Sequence, residues 1–151
     1  MRRKIAGWQL SPSTPGQWLI CVSEGDHLIN HVSLGSNQYA ESVAFYQGTL
    51  APLGIQLLQD KGTEAAFGVP SHWSFFLYPV ASAERVTAQG THLAFQAASR
   101  AEVIATYEQA ITAAATSLFT PRERPDISAT YFGAMFTDLD GHRIEVLTDN
   151  A

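Results

Sequence analysis

The chain repeats itself. His31 maps to His92, Ala40 to Ala101, Glu41 to Glu102, Ala44 to Ala105, Tyr46 to Tyr107 and Leu50 to Ile111, all at one spacing of 61 positions with no gap. Coincident alanines are common; a His, a Glu and a Tyr in the same register are not. The period exceeds the roughly 20–50 residues of solenoid repeats, and two copies are too few for an array. The pattern predicts one pseudo-symmetric domain built from two strand-helix modules.

Local signals fill in each module. In the first, Leu28 to Leu34 alternates, with His31 and Ser33 on one side and Val32 and Leu34 on the other. Gly35-Ser36-Asn37 reads as a turn, with Ser36 or Asn37 capping a helix that runs to about Ala51. That helix should turn Val43, Tyr46, Leu50 and Leu53 inward, and Pro52 and Gly54 should end it. Ile55 to Gln59, Ala65 to Val69 and Trp73 to Tyr78 are strand candidates. Pro79 to Gly90 connects the modules. The second opens with His92-Leu93-Ala94-Phe95. Ser99 and Glu102 then have the spacing of a capping box at the start of a helix reaching about Ala115. A short strand over Ser117 to Thr120, a charged loop over Pro121 to Asp126, and strands over Thr130 to Thr137 and Arg143 to Leu147 follow, the last two joined by a tight Asp138–Gly141 turn. Phe67-Gly68 is echoed by Phe132-Gly133. The expected organisation is an extension over 1–26, a first βαβββ module over 27–80, and a linker with a second βαβββ module over 81–151, all in one structural domain. The class is α+β, with a curved, half-open mixed sheet around a cavity. The extension holds a candidate strand, Gln17 to Ser23, which pairs with a sheet edge, reaches a partner subunit, or stays partly disordered.

Bulk properties narrow the function. A net charge of −5 and scattered Lys and Arg argue against nucleic acid, which calls for a basic face. One cysteine, Cys21, forms no internal disulfide and fits a reducing cytoplasm. No stretch approaches the roughly 20 apolar residues of a membrane span. Arg2-Arg3-Lys4 is followed by too short an apolar run to be a secretory signal.

Chemistry is expected on the polar strand faces. If apolar Val32, Leu34, Leu93 and Phe95 sit under the helices, His31 and His92 point the other way. In the last strand Ile144 and Val146 take the helix side, which turns Glu145 toward the histidines. A buried carboxylate needs a cation or donor, and two imidazoles with one carboxylate suit a divalent metal with open coordination positions. His27, His72 and His142 read as loop, surface or turn residues, and Arg143 as an alternative partner for Glu145.

Three pieces carry a family resemblance: Asn30-His31-Val32-Ser33-Leu34 with Ala44-Phe45-Tyr46 and Leu50-Ala51-Pro52-Leu53-Gly54; His92-Leu93-Ala94-Phe95; and Tyr131-Phe132-Gly133 with Asp138-Leu139-Asp140-Gly141-His142-Arg143-Ile144-Glu145. Over residues 27–149 the chain resembles the vicinal oxygen chelate superfamily of glyoxalase I, bleomycin-resistance-type binding proteins and extradiol dioxygenases. The resemblance implies paired βαβββ modules and metal ligands at His31, His92 and Glu145, with iron, zinc, nickel or manganese as the ion. It implies a glyoxalase- or dioxygenase-like enzyme, a lyase, isomerase or oxygenase, that chelates a small oxygenated substrate, and a homodimer. A glyoxalase I-like site takes a further acid from the last strand of module one, where Trp73 to Tyr78 has none. Trp73, Phe75 and Phe76 there are expected to wall an apolar substrate pocket, with Arg124 closing over an anionic substrate and Tyr131 bonding substrate above the metal. The rival is a metal-free, bleomycin-resistance-like protein holding a planar ligand between aromatic walls.

Overall fold

The computed structural model describes residues 29–150. Expectations for the 1–26 extension, for Cys21 and for His27 fall outside them. Module one runs β1 (Val32–Ser36), α1 (Tyr39–Thr49), a 3-10 turn (Ala51–Leu53), β2 (Gln56–Asp60), β3 (Ala65–Val69) and β4 (His72–Pro79). Module two runs β5 (Leu93–Gln96), α2 (Arg100–Thr112), β6 (Thr116–Glu123), β7 (Phe132–Thr137) and β8 (Arg143–Thr148). Each module forms a four-stranded mixed sheet, in the orders β1-β4-β3-β2 and β5-β8-β7-β6. In each, the first strand lies parallel to the last and the other neighbours are antiparallel. The fold is α+β, with two βαβββ modules whose sheets do not close.

One core serves both modules. Phe67, Phe75 and Leu77 from the first sheet, Phe136, Ile144 and Val146 from the second, and Val43, Phe45, Tyr46 and Leu50 from α1 and its C-terminal end belong to a single buried cluster. Rings meet across the modules: Phe75 lies 5.7 Å from Phe95, and Phe45 lies 6.4 Å from Phe136. Burial of this apolar surface is the main force joining the halves. No helix among the described residues is long and apolar enough to cross a membrane.

The strand register refines the repeat. Ser33 pairs with Phe76, and its repeat mate Ala94 pairs with Glu145. The last strands are therefore offset by 69 positions (Phe76 to Glu145), against 61 at the first strands. Phe67 accordingly matches Phe136, since these two pair with Phe75 and Ile144. The Phe67-Gly68 echo of Phe132-Gly133 is not the structural register. The extra residues enlarge the β6 region, where a strand runs through Pro121 to Glu123 instead of the expected loop.

A dense polar seam fixes the modules' orientation. The residue before α1, Gln38, makes no side-chain cap. Asp140, from the β7–β8 turn, instead ties down the approach to the helix from the other module. Its carboxylate accepts from the Ser36 hydroxyl (2.5 Å), the Ser42 hydroxyl (2.9 Å) and the Asn37 amide (2.9 Å). Ser36 Oγ in turn accepts from the Gln38 amide at 3.1 Å. Asp138 accepts from the buried Tyr46 hydroxyl at 2.6 Å, and Gln38 Nε2 donates to the Leu139 carbonyl at 2.6 Å. Asn37 is not the cap; its side-chain amide reaches the linker carbonyls of Ala81 and Glu84 at 2.9 and 3.2 Å. At α2 the capping box forms in a shifted version: Ser99 accepts from the Glu102 amide, while the Glu102 carboxylate accepts from the Ala98 amide.

Candidate functional site

The parallel pairing of β5 with β8 sets Ala94 beside Glu145. His92 stands two residues before Ala94 and so shares its face. The structure brings the two expected ligands together, with His92 Nε2 3.4 Å from Glu145 Oε2. Glu145 is 6 % exposed, yet the His92 side chain is 46 % exposed. A buried acid therefore meets solvent through one reachable ring.

Tyr131 holds the other carboxylate oxygen, its hydroxyl donating to Glu145 Oε1 at 2.8 Å. Burial, then this hydrogen bond, pushes the Tyr131 phenol well above its ordinary pKa. The phenol thus keeps its proton at neutral pH and serves as a donor that orients Glu145. Arg143, the alternative partner for that acid, instead approaches Met135 Sδ at 3.7 Å. The Arg124 guanidinium is bonded to Asp126 at 2.7 and 2.9 Å, the chief cause of its raised pKa, with the Glu145 charge a smaller contribution. It lies against the Phe119 ring.

Module one presents a different pair at the symmetric position. His31 is exposed at the head of β1, bonded through Nδ1 to Asn30 Oδ1 at 2.8 Å. Its ring meets Phe76 edge-on, 5.2 Å between centroids. Phe76 thus occupies the counterpart of Glu145. Trp73, 42 % exposed, lies 6.4 Å from Phe76 and extends this aromatic face. Phe75 points the opposite way, into the core against Tyr46 (4.8 Å) and Phe67 (5.6 Å), and so is no pocket wall. Among the described residues, no three of His, Cys, Asp and Glu gather around one point where an ion could sit. His31 does not join His92 and Glu145 within a chain. The nitrogen and carboxylate donors of that pair match the preferences of zinc, iron, nickel or manganese, and Tyr131 supplies the outer hydrogen bond such ligands usually carry. The pair needs at least one further protein donor.

Sequence reasoning missed the role of the Asp138–His142 turn. His142, read as a turn residue, is buried; its amide donates to Asp138 Oδ1 at 2.7 Å and its Nε2 donates to the Gly35 carbonyl at 2.8 Å. The density of Asp, Gly and His in that stretch was the available signal.

Two βαβββ units with a His–Glu pair on the first and closing strands of the second define the class: a duplicated α+β fold of the vicinal oxygen chelate type. The Glyoxalase/Bleomycin resistance protein/Dioxygenase superfamily model matches residues 28–146, and the chain belongs to that superfamily. No curated protein matches it. Among solved structures, it is similar to a glyoxalase/bleomycin resistance protein from Albidiferax ferrireducens T118, at 25% identity and a TM-score of 0.72, covering 81% of this chain and 99% of that one. It is also similar to a glyoxalase/bleomycin resistance protein/dioxygenase family enzyme from Burkholderia phytofirmans PsJN, at 15% identity and TM-score 0.62, covering 80% and 98%. A third likeness is to a mutant of the genomically encoded fosfomycin resistance protein FosX from Listeria monocytogenes, complexed with Mn(II) and a dihydroxypropylphosphonic acid, at 20% identity and TM-score 0.58, covering 78% and 86%.

Proposed function

We propose that this chain is a metal-dependent enzyme that chelates a small oxygenated substrate through two of its oxygens, working as a homodimer in which each site is completed by a second copy. His92 and Glu145 of one copy and His31 of the other would be the ligands. One observation carries the reading: a carboxylate almost wholly out of water, accepting a hydrogen bond from a phenol that keeps its own proton, with a reachable imidazole at its other oxygen. A buried acid needs donors or a cation; Tyr131 supplies one donor, and a cation at the second oxygen would complete the compensation. His31 sits at the equivalent place on the other module, exposed and with a ring nitrogen to offer. A divalent ion there would act as a Lewis acid toward the substrate oxygens. Tyr131 would orient Glu145, and Phe76 with Trp73, beside His31, would line the side of the site that lacks an acid. No side chain is assigned as general base.

The test is metal content and oligomeric state measured together. Protein purified without chelator is expected to sediment as a dimer with about one divalent ion per chain. His92→Ala, Glu145→Gln and His31→Ala should each lose the metal while remaining dimeric. Retention of metal by His92→Ala and Glu145→Gln would defeat the proposal. The metal-free binding reading is favoured by the aromatic face of Phe76 and Trp73, and it would prevail if tight ligand binding survived chelator in all three variants.

A further inference from the structure

Two cavities open where the inter-module linker passes the start of β8, and they share Thr91, His142 and Arg143 as walls. The first, about 260 Å³, is polar and is lined by Arg85, Thr87 and Gln89 beside the shared residues. No carboxylate lines it. The second, about 300 Å³, is apolar, walled by Val32, Leu34, Leu93 and Ile144, and it reaches His92. Together they have the form of a ligand site: an apolar trough with a few polar groups gathered at one end.

The charge at that end is unusual for this chain. The net charge is −5, yet Arg85 and Arg143 face a common cavity with no acid. Among the described residues neither makes an ion pair; Arg143 Nη2 approaches only Met135 Sδ, at 3.7 Å. Two guanidinium groups left unmatched beside a cavity attract an oxyanion, since each offers a planar fork of donors. The linker just before Arg85 is tied to module one by the Asn37 side chain, which donates to the Ala81 and Glu84 carbonyls.

We infer that this seam binds a small amphiphilic anion: a carboxylate or phosphate head between Arg85 and Arg143, with an aromatic or aliphatic body lying along Leu34, Leu93 and Ile144. Leu93 and Ile144 pair on the strand face opposite Ala94 and Glu145, and Glu145 does not line the trough, so this seam is separate from the proposed metal site and the inference goes beyond that reading. Binding of the anion itself does not require the metal.

The test titrates chelator-treated protein calorimetrically with naphthalene-2-carboxylate, 2-naphthyl phosphate and the neutral naphthalene-2-carboxamide. At least one of the two anions should bind about tenfold or more tighter than the amide, and the tighter of them identifies the head group. Arg85→Gln and Arg143→Gln should each remove most of that preference while leaving the thermal unfolding midpoint and the amide affinity unchanged. The preference should also shrink in about 0.5 M salt, where screening acts within a few ångströms. Equal binding of anion and amide, or a preference that survives both substitutions, would overturn the inference. The two proposals fail separately: loss of metal binding leaves the anion preference intact in chelator, and loss of the preference leaves metal content untouched.

Discussion

Asp140→Ala should weaken the whole molecule, because one carboxylate serves three donors from the other module. The Ser36 and Ser42 side chains belong to residues that are each 1 % exposed and donate to it, as does the Asn37 amide. A hydrogen bond to a charged group contributes about 1.5–3 kcal/mol, and an orphaned buried donor costs about 1–3 kcal/mol. Ser36 can turn to Ser42, whose oxygen is 3.0 Å away, so one hydroxyl recovers a partner. The remainder, one hydroxyl and one amide at the start of a helix without its own cap, gives an expected loss of about 3 kcal/mol. Against a typical stability of about 5–15 kcal/mol, that is a large share. The assay is urea unfolding with linear extrapolation, where the midpoint should fall by roughly 1–2 M with an unchanged slope. Ser42→Ala in the Asp140→Ala background should cost far less than in the wild type, because the pair share one network. An Asp140→Ala midpoint within experimental error of wild type, or additive effects of the two substitutions, would refute the reasoning.

Three further outcomes follow from single positions. A Cβ at Gly68 would lie 2.1 Å from the His72 carbonyl oxygen, where backbone cannot yield, so Gly68→Ala should lower stability by about 3 kcal/mol or more, and urea unfolding checks it. Thr106 is 1 % exposed and its hydroxyl has no hydrogen-bond partner; Thr106→Val should raise the melting temperature by about 2–4 °C, corresponding to about 1 kcal/mol. Burial raises the pKa of Asp138 above its usual 3.8, outweighing the Tyr46 hydrogen bond that lowers it. The folded state therefore holds this proton more tightly than the unfolded one. The resulting stabilisation is complete below about pH 3.8 and is lost as pH rises through the folded value. Asp138→Asn removes this dependence, so the wild type's stability relative to that variant should decline as pH rises above about 4. A flat or rising difference in urea unfolding across those pH values would contradict the assignment.

Much of the fold was legible because the controlling signals are local. Period-two alternation places β1 and β8 within a few residues, the turn residues Asp60-Lys61-Gly62 and Pro70-Ser71 bound β3, and the duplicated register announces two modules. Alternation also sets Glu145 on the face of His92, which pairing of β5 with β8 then turns into a 3.4 Å contact. The end of β6 departs from expectation because it is an edge strand. An edge tolerates proline and needs no apolar rhythm, so Pro121-Arg122-Glu123 reads as loop. Trp73 departs from simple alternation with Phe75 because the ladder shifts between Phe67 and Gly68. A glycine inside a strand was the sign of that bulge. The clamp made by Asp138 and Asp140, and the meeting of Arg85 with Arg143, join residues far apart in the chain. Neither has a local signature.

The exchange of Glu145 for Phe76 across the pseudo-twofold has a consequence for inheritance. An ancestral duplication begins with two equivalent halves, and here one presents a carboxylate at this place while the other presents a hydrocarbon ring. The two copies therefore offer a ligand different things, charge in one and shape in the other. Substitutions at position 76 should retune which molecules are admitted, whereas any change at position 145 should abolish the proposed chemistry outright.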